Sequence, residues 1–268
     1  MSPPSLGPAR DVLGVPVRAM TMAAVLQLID DAIVARQRLR IGVVNAAKLV
    51  NMRRDAVLAR DVLSSDVILA DGMAVVWASR LLGRPLPERV AGIDLMLALL
   101  RHGASRGYRV FFLGATEDVL RRVTERVAAD FPGVVIAGRR NGYFSPAEEA
   151  EVAAEIAAAR PDVLLVAMSS PGKEHFMARW GTALPVSVWH GVGGSFDVVA
   201  GHVRRAPERW QRLGLEWLYR VGQEPRRLWR RYLATNTLFG LLLLAEILRW
   251  PRAPRSIGGH RRDEKRAA

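Results

Sequence analysis

Apolar runs of strand length recur along this chain with helix-patterned stretches between them. That alternation limits the fold more than any other feature. Ile41 to Asn45 (IGVVN), Val67 to Ala70, Arg109 to Leu113 (RVFFL), Val134 to Ala137, Asp162 to Met168 (DVLLVAM) and Val186 to Val192 read as strands. The runs are continuous rather than alternating, as in strands covered on both faces. Ala46 to about Leu63, Gly72 to about Leu82, Ile93 to Ser105, Glu117 to Asp130 and Lys173 to Trp180 read as helices. Ser145-Pro146 opens another, with Glu148 at the capping-box position. This βαβα rhythm predicts an α/β protein: a Rossmann-like, mostly parallel sheet with helices on both faces.

The first residues, MSPPSLGPARDVLG, contain no apolar core of a cleaved signal peptide and read as a short mobile leader. Cysteine is absent, so no disulfide framework or thiolate metal site forms, which fits a reducing compartment. The net charge of +13 is concentrated: from His202 onward 16 Lys and Arg stand against 6 Asp and Glu, while residues 1–201 carry 23 against 20. A localised positive field implies an anionic partner such as phospholipid, nucleic acid or a phosphorylated substrate. The texture also changes near Arg204, where Trp, Leu and Tyr mix with arginines at helical spacing. The chain therefore divides into an α/β domain, 1–203, and a basic, amphipathic helical appendage and tail, 204–268. The apolar run TLFGLLLLAEILRW is shorter than the roughly 20 residues that span a bilayer. With Trp250, Arg252 and Arg255 after it, the appendage suits a membrane surface. A basic helix packed on the core is the alternative.

Strand ends hold the candidate chemistry, because ligands of parallel α/β sheets bind outside the strands' carboxyl ends. Asp71 ends the Val67–Ala70 run and is placed for a general base; capping of the next helix is its structural alternative. Arg89 comes soon after as a candidate phosphate clamp. Asn45 ends the first strand, where it either meets a sugar hydroxyl or caps a helix. SSPGKEHF places Lys173 at a strand-to-helix turn suited to a phosphate, without Walker spacing. Gly191, Gly193 and Gly194 let a ligand approach the backbone closely. The five histidines show no metal spacing, no dinucleotide fingerprint is complete, and GxSxG is missing. No metal and no cofactor are expected.

Six blocks in order, VVNAAKLVNMRRD, ILADGMAVVWASRLLG with ERVAGIDL, RVFFLGA, PDVLLVAMSSPGKE, GVGGSFDVVAGHVRRAP and GLEWLYRVGQEPRRLWRRY, resemble the TagA/CpsF/WecG family of bacterial glycosyltransferases from about Leu13 to Asn236. The resemblance implies a metal-independent, inverting enzyme. It would move a sugar from a UDP-sugar donor to an undecaprenyl-diphosphate-linked sugar, peripherally, at the cytoplasmic face of the inner membrane. It implies Asp71 as general base, Arg89 and Asn45 in the site, and arginines of the appendage at the active site and membrane. Lys173, Arg204, Arg205, Arg226 and Arg227 are the cations available to a departing diphosphate. Lys173 stands where many relatives have glutamine, and Val43 where many have threonine. Both departures bear on the sugar: N-acetylmannosamine, or glucose as in exopolysaccharide glucosyltransferases with a lysine in this block. Two other classes compete. A nucleic-acid-binding protein would use the basic charge, but no motif supports it. A non-catalytic scaffold of a polysaccharide assembly complex would not need Asp71 and Arg89. Whether the chain forms a homo-oligomer is left open.

Overall fold

The computed structural model describes residues 6–249. Its elements run β1 (Ala9–Val12), β2 (Val15–Arg18), α1 (Met22–Val34), β3 (Leu39–Val44), α2 (Ala46–Met52), α3 (Ala56–Leu63), β4 (Val67–Ala70), α4 (Met73–Leu81), α5 (Gly92–Ala104) and β5 (Arg109–Gly114). Then come α6 (Glu117–Asp130), β6 (Val135–Arg140), α7 (Glu149–Ala159), β7 (Val163–Ala167), α8 (Gly172–Trp180), β8 (Val188–Gly191) and α9 (Ser195–Val199), and finally α10 (Glu208–Arg212), α11 (Glu216–Gln223) and α12 (Pro225–Arg249).

Six strands form one sheet in the order β4-β3-β8-β7-β5-β6, and every neighbouring pair is parallel. The period-two geometry of a strand sends alternate residues to opposite faces. Both faces here are apolar. Val67 and Leu69 of β4, Val110 and Phe112 of β5, and Val163 and Leu165 of β7 join the core under α1, α5 and α6. Ile68 and Ala70 of β4 point the other way, to α2, α3 and α4. Phe111, Leu113, Leu164 and Val166 face α7 and α8. Two covered faces explain why the strands read as unbroken apolar runs. Each fully buried Leu or Phe contributes about 1.5–3 kcal/mol.

Four expectations need correction. The single helix from Ala46 to Leu63 is two, because Asp55 accepts hydrogen bonds from the backbone N–H of Val57 (3.0 Å) and Leu58 (2.9 Å) and starts α3 afresh. The leader is ordered from Ala9: β1 and β2 form a hairpin that buries Val12, Val15 and Val17 against α2 and α4. Its turn uses the left-handed backbone of Leu13 and Gly14, with Asp11 accepting from Gly14 N at 3.2 Å. The helix expected at Ser145 begins four residues later, at Glu149 after a turn, although the Glu148 carboxylate does reach back to Ser145 N at 2.7 Å. The short apolar run from Thr237 is the second half of the 25-residue α12, whose Leu228–Arg249 segment of 22 residues is long and apolar enough to cross a membrane. Arginines in its first half had disguised its length. Trp250, Arg252 and Arg255 lie outside the described residues.

α12 lies along α2. It buries Phe239 and packs Leu238, Leu242 and Leu243 against the same core. Its opposite face leaves Trp229, Leu233, Leu241, Leu244 and Leu248 exposed. Gly214, between α10 and α11, lies so close to Trp77 of α4 that a side chain there would strike the indole.

Candidate active site

The parallel sheet brings Asn45, Asp71 and Gly191 to one edge, because β4, β3 and β8 are neighbours and each of these residues ends or succeeds its strand. Asp71 does not cap α4; Gly72 occupies that position without a side-chain cap. Its carboxylate is instead held from two sides. Oδ1 accepts from Gly92 N, in the first turn of α5, at 2.8 Å, and Oδ2 accepts from Asn45 Nδ2 at 3.2 Å. Asn45 also acts as a helix cap: its Oδ1 caps α2 by accepting from Lys48 N at 3.0 Å.

The first turn of α5 is pinned from below by His190 of β8, whose Nε2 lies 2.9 Å from the Gly92 carbonyl. A carbonyl only accepts, so that nitrogen carries the proton. Burial pushes the His190 pKa below the ordinary imidazole value, which keeps the ring neutral. Asp71 is thus fixed by a neighbouring strand end and a helix start that is itself anchored.

Lys173, in the first turn of α8, is buried, and its stem runs beside Gly191. A Cβ at Gly191 would stand 3.3 Å from Lys173 Cδ and 3.2 Å from Met177 Sδ, so glycine makes room for the lysine. Gly193 adopts φ +54°, the left-handed region. Gly194 has an ordinary backbone, and no close approach demands glycine there. Lys173 Nζ is 2.9 Å from Glu174 Oε1, and Lys48 Nζ reaches the same oxygen at 2.7 Å. Burial, and next the charge of Lys48, pull the Lys173 pKa down to about 8, while Glu174 and Asp71 act in the opposite sense. For Glu174, burial acts upward, but the charges of Lys48 and Lys173 outweigh it and hold the carboxyl at about 2.

Arg89 joins a second cluster at the far side of the α5 start. Its guanidinium contacts Asp94 Oδ2 (3.0 Å), Glu216 Oε2 (3.1 Å) and Gln211 Oε1 (3.3 Å). Arg205 pairs with the other Asp94 oxygen at 2.6 Å. Arg89 is therefore committed to carboxylates and ties α5 to α10 and α11. Arg204 is exposed, with its carbonyl accepting from Gln223 Nε2 at 3.1 Å. Arg226 is exposed near the start of α12, and the side chain of Arg227 lies outside the described ones. The expected residues thus fall into two groups: Asn45, Asp71, Lys173, Gly191 and Gly193 at the sheet edge, and Arg89 with Arg205 at the appendage junction.

The sequence reading missed Lys48, Glu174, His190, Asp94 and Glu216. Glu174 is adjacent to Lys173, yet its partner Lys48 is 126 residues away. No local pattern joins them. Among the described residues, no group of three or more His, Asp or Glu is placed to hold a metal ion.

The pattern of the Glycosyl transferase WecG/TagA/CpsF family matches residues 10–253. A protein of Bacillus spizizenii named N-acetylglucosaminyldiphosphoundecaprenol N-acetyl-beta-D-mannosaminyltransferase is 45% identical over 184 residues, 69% of this chain and 69% of that protein. A protein of the same name from Bacillus subtilis is 41% identical over 175 residues, 65% of this chain and 67% of that protein.

Proposed function

The chain belongs to the WecG/TagA/CpsF family of glycosyl transferases, and we propose that it moves a sugar from a UDP-sugar to a sugar carried on a polyprenyl diphosphate, with inversion and with Asp71 as the base. One observation carries the assignment: Asp71 is a carboxylate at the carboxyl edge of the sheet, oriented by Asn45 and by the start of α5.

That placement supports the following chemistry. The acceptor hydroxyl gives its proton to Asp71 as its oxygen attacks the anomeric carbon. The bond between that carbon and the UDP oxygen breaks on the opposite face, which inverts the centre. Asn45 and Gly92 N hold the carboxylate in one orientation, so little reorganisation precedes proton transfer. Charge grows on the departing diphosphate and needs preorganised cations. Lys173 is a buried cation at this edge. Arg89 and Arg205 stand at the junction with α10 and α11, where exchange of a carboxylate for a phosphate oxygen would bring them into play.

The domain division supports the same reading. We assign residues 1–203 to catalysis and 204–268 to an appendage that holds the enzyme to a membrane surface. The exposed Leu233, Leu241, Leu244 and Leu248 on α12, flanked by Arg226, Arg230 and Arg231, are the pattern of an interfacial helix. The same mixture of apolar and basic groups favours lipid over nucleic acid as the anionic partner. The substrate named for the relatives, a polyprenyl-linked sugar, requires access to lipid.

The relatives' names favour N-acetylmannosamine as the donor sugar, with lipid-linked N-acetylglucosamine as acceptor. Lys173 favours a second reading, transfer of glucose to a lipid-linked glucose. A screen of UDP-N-acetylmannosamine and UDP-glucose against both lipid-linked acceptors tests the function. Transfer by one pair supports it; no transfer with any pair overturns it.

A further inference from the structure

Three buried charges lie together beneath the Asp71 edge. Lys48, Lys173 and Glu174 are each about a tenth exposed or less at the side chain, and both ammonium groups meet the single oxygen Oε1 of Glu174. Two positive charges and one negative leave the cluster a net cation inside the protein. An uncompensated buried charge is costly unless an anion completes it. Nothing within these three does so; Asp71, whose charge Lys173 feels, lies outside them and is already held by Asn45 and Gly92 N.

The cluster is also tied to the catalytic edge by a continuous path. Asp71 accepts from Asn45; Asn45 accepts from the backbone of Lys48; the Lys48 side chain reaches Glu174; Glu174 holds Lys173. The path closes on itself, because Lys173 feels the charge of Asp71. The Lys173 ammonium also lies about 4.0 Å from where a Cβ on Gly193 would sit, at the turn after β8.

Resting on the proposed transfer reaction, we propose that Glu174 and Lys48 are positioning residues, which fix the Lys173 ammonium at the Gly191–Gly193 turn to receive the diphosphate of the donor. Glu174 supplies the fixed contact. Lys48 holds Glu174, and its own positive charge leaves these three side chains one anion short until the donor arrives. Lys173 is the group that touches the substrate.

The arrangement predicts opposite pH responses for the two positioning residues. The charged and titratable groups around Lys173 are Lys48 on α2, Glu174 on its own helix, Asp71 at the end of β4, and neutral His190 on β8. Asp61 of α3 and Arg40 of β3 line the cavity that Lys48, Lys173 and Glu174 share. Removing a like charge helps Lys173 keep its proton; removing an opposite charge does the reverse.

The test uses full-length protein with lysines labelled at Cε. The Lys173 resonance is assigned by its loss in Lys173→Arg, and its titration is tracked by NMR, which needs no turnover. UDP affinity is measured across the same pH range by calorimetry. In the wild type the titration midpoint falls near 8, and UDP binding weakens above it. Lys48→Met moves both upward by about one pH unit and Glu174→Gln moves both downward by about as much. Lys173→Arg binds UDP without a break in this range. Lys48→Met leaves a balanced ion pair and folds even where Glu174→Gln does not, so its upward shift alone decides. Midpoints that stay in place, or UDP affinity that falls equally at all pH values, overturn the proposal. Transfer by the wild type, measured separately, decides only the functional reading.

Discussion

Arg89 and Glu216 stand 3.1 Å apart although 127 residues separate them in sequence. Their contact joins the start of α5, which orients Asp71, to the appendage helix α11. Both side chains are largely buried, so loss of one leaves a charge without its partner. Glu216→Ala is expected to cost about 1–3 kcal/mol of stability and to speed protease cleavage between α10 and α11. A double-mutant cycle with Arg89→Ala should return a coupling of about 0.5–3 kcal/mol. Additive losses and an unchanged cleavage rate would show that the pair does not hold the appendage down.

Acid should weaken the fold through Glu174. Its folded pKa of about 2 lies below the ordinary 4.5, so its stabilising contribution is complete above about 4.5 and is lost as pH falls toward 2. The difference corresponds to on the order of 3 kcal/mol, at about 1.4 kcal/mol per pH unit. Thermal melts of wild type and Glu174→Gln should differ most near neutrality and converge toward pH 2. A gap that stays constant across this range contradicts the assignment.

The exposed stripe of α12 should carry membrane attachment. Leu241, Leu244 and Leu248 are more than half exposed and lie opposite buried Phe239, so serine at all three should leave the fold's melting temperature nearly unchanged. Sedimentation with anionic vesicles should fall sharply, while transfer to a soluble short-chain acceptor persists. High salt should weaken wild-type binding only in part, since the apolar share is not screened. Full sedimentation of the triple variant would place the anchor elsewhere.

Much of this was legible in the sequence for a physical reason. Strands buried on both faces must be apolar throughout, so β3, β4, β5 and β7 announce themselves, and the residues just past each strand fall at the ligand edge. Asn45 and Asp71 could be placed together on that ground. The break at Asp55 was harder, because an aspartate inside an amphipathic pattern caps a helix only if the backbone turns there. The hairpin of Val12 to Val17 has too few residues to show a period. The Lys48–Glu174 pair depends on how α2 and α8 meet across the sheet edge, and Arg89–Glu216 on how the appendage folds back. Neither leaves a local trace.

Transfer should continue in the presence of EDTA. Lys173, Arg89 and Arg205 offer positive charge around the site in place of a divalent ion. Activity that disappears with chelator and returns with Mg²⁺ or Mn²⁺ would show that these side chains do not suffice for the leaving diphosphate.

The most direct test is the turnover of Asp71→Asn with the donor and lipid-linked acceptor that the screen identifies. An amide keeps the size of the carboxylate and its oxygen can still accept from Gly92 N, but its NH2 faces the NH2 of Asn45, so the variant should fold with a loss of about 1 kcal/mol of stability. It cannot take the acceptor's proton, and loss of a general base costs about 10²–10⁴-fold in rate. A folded variant that binds UDP normally and transfers at 1% of the wild-type rate or less, within that roughly 10²–10⁴-fold range, is the predicted result. Near-wild-type turnover would contradict the assignment of Asp71 as the base.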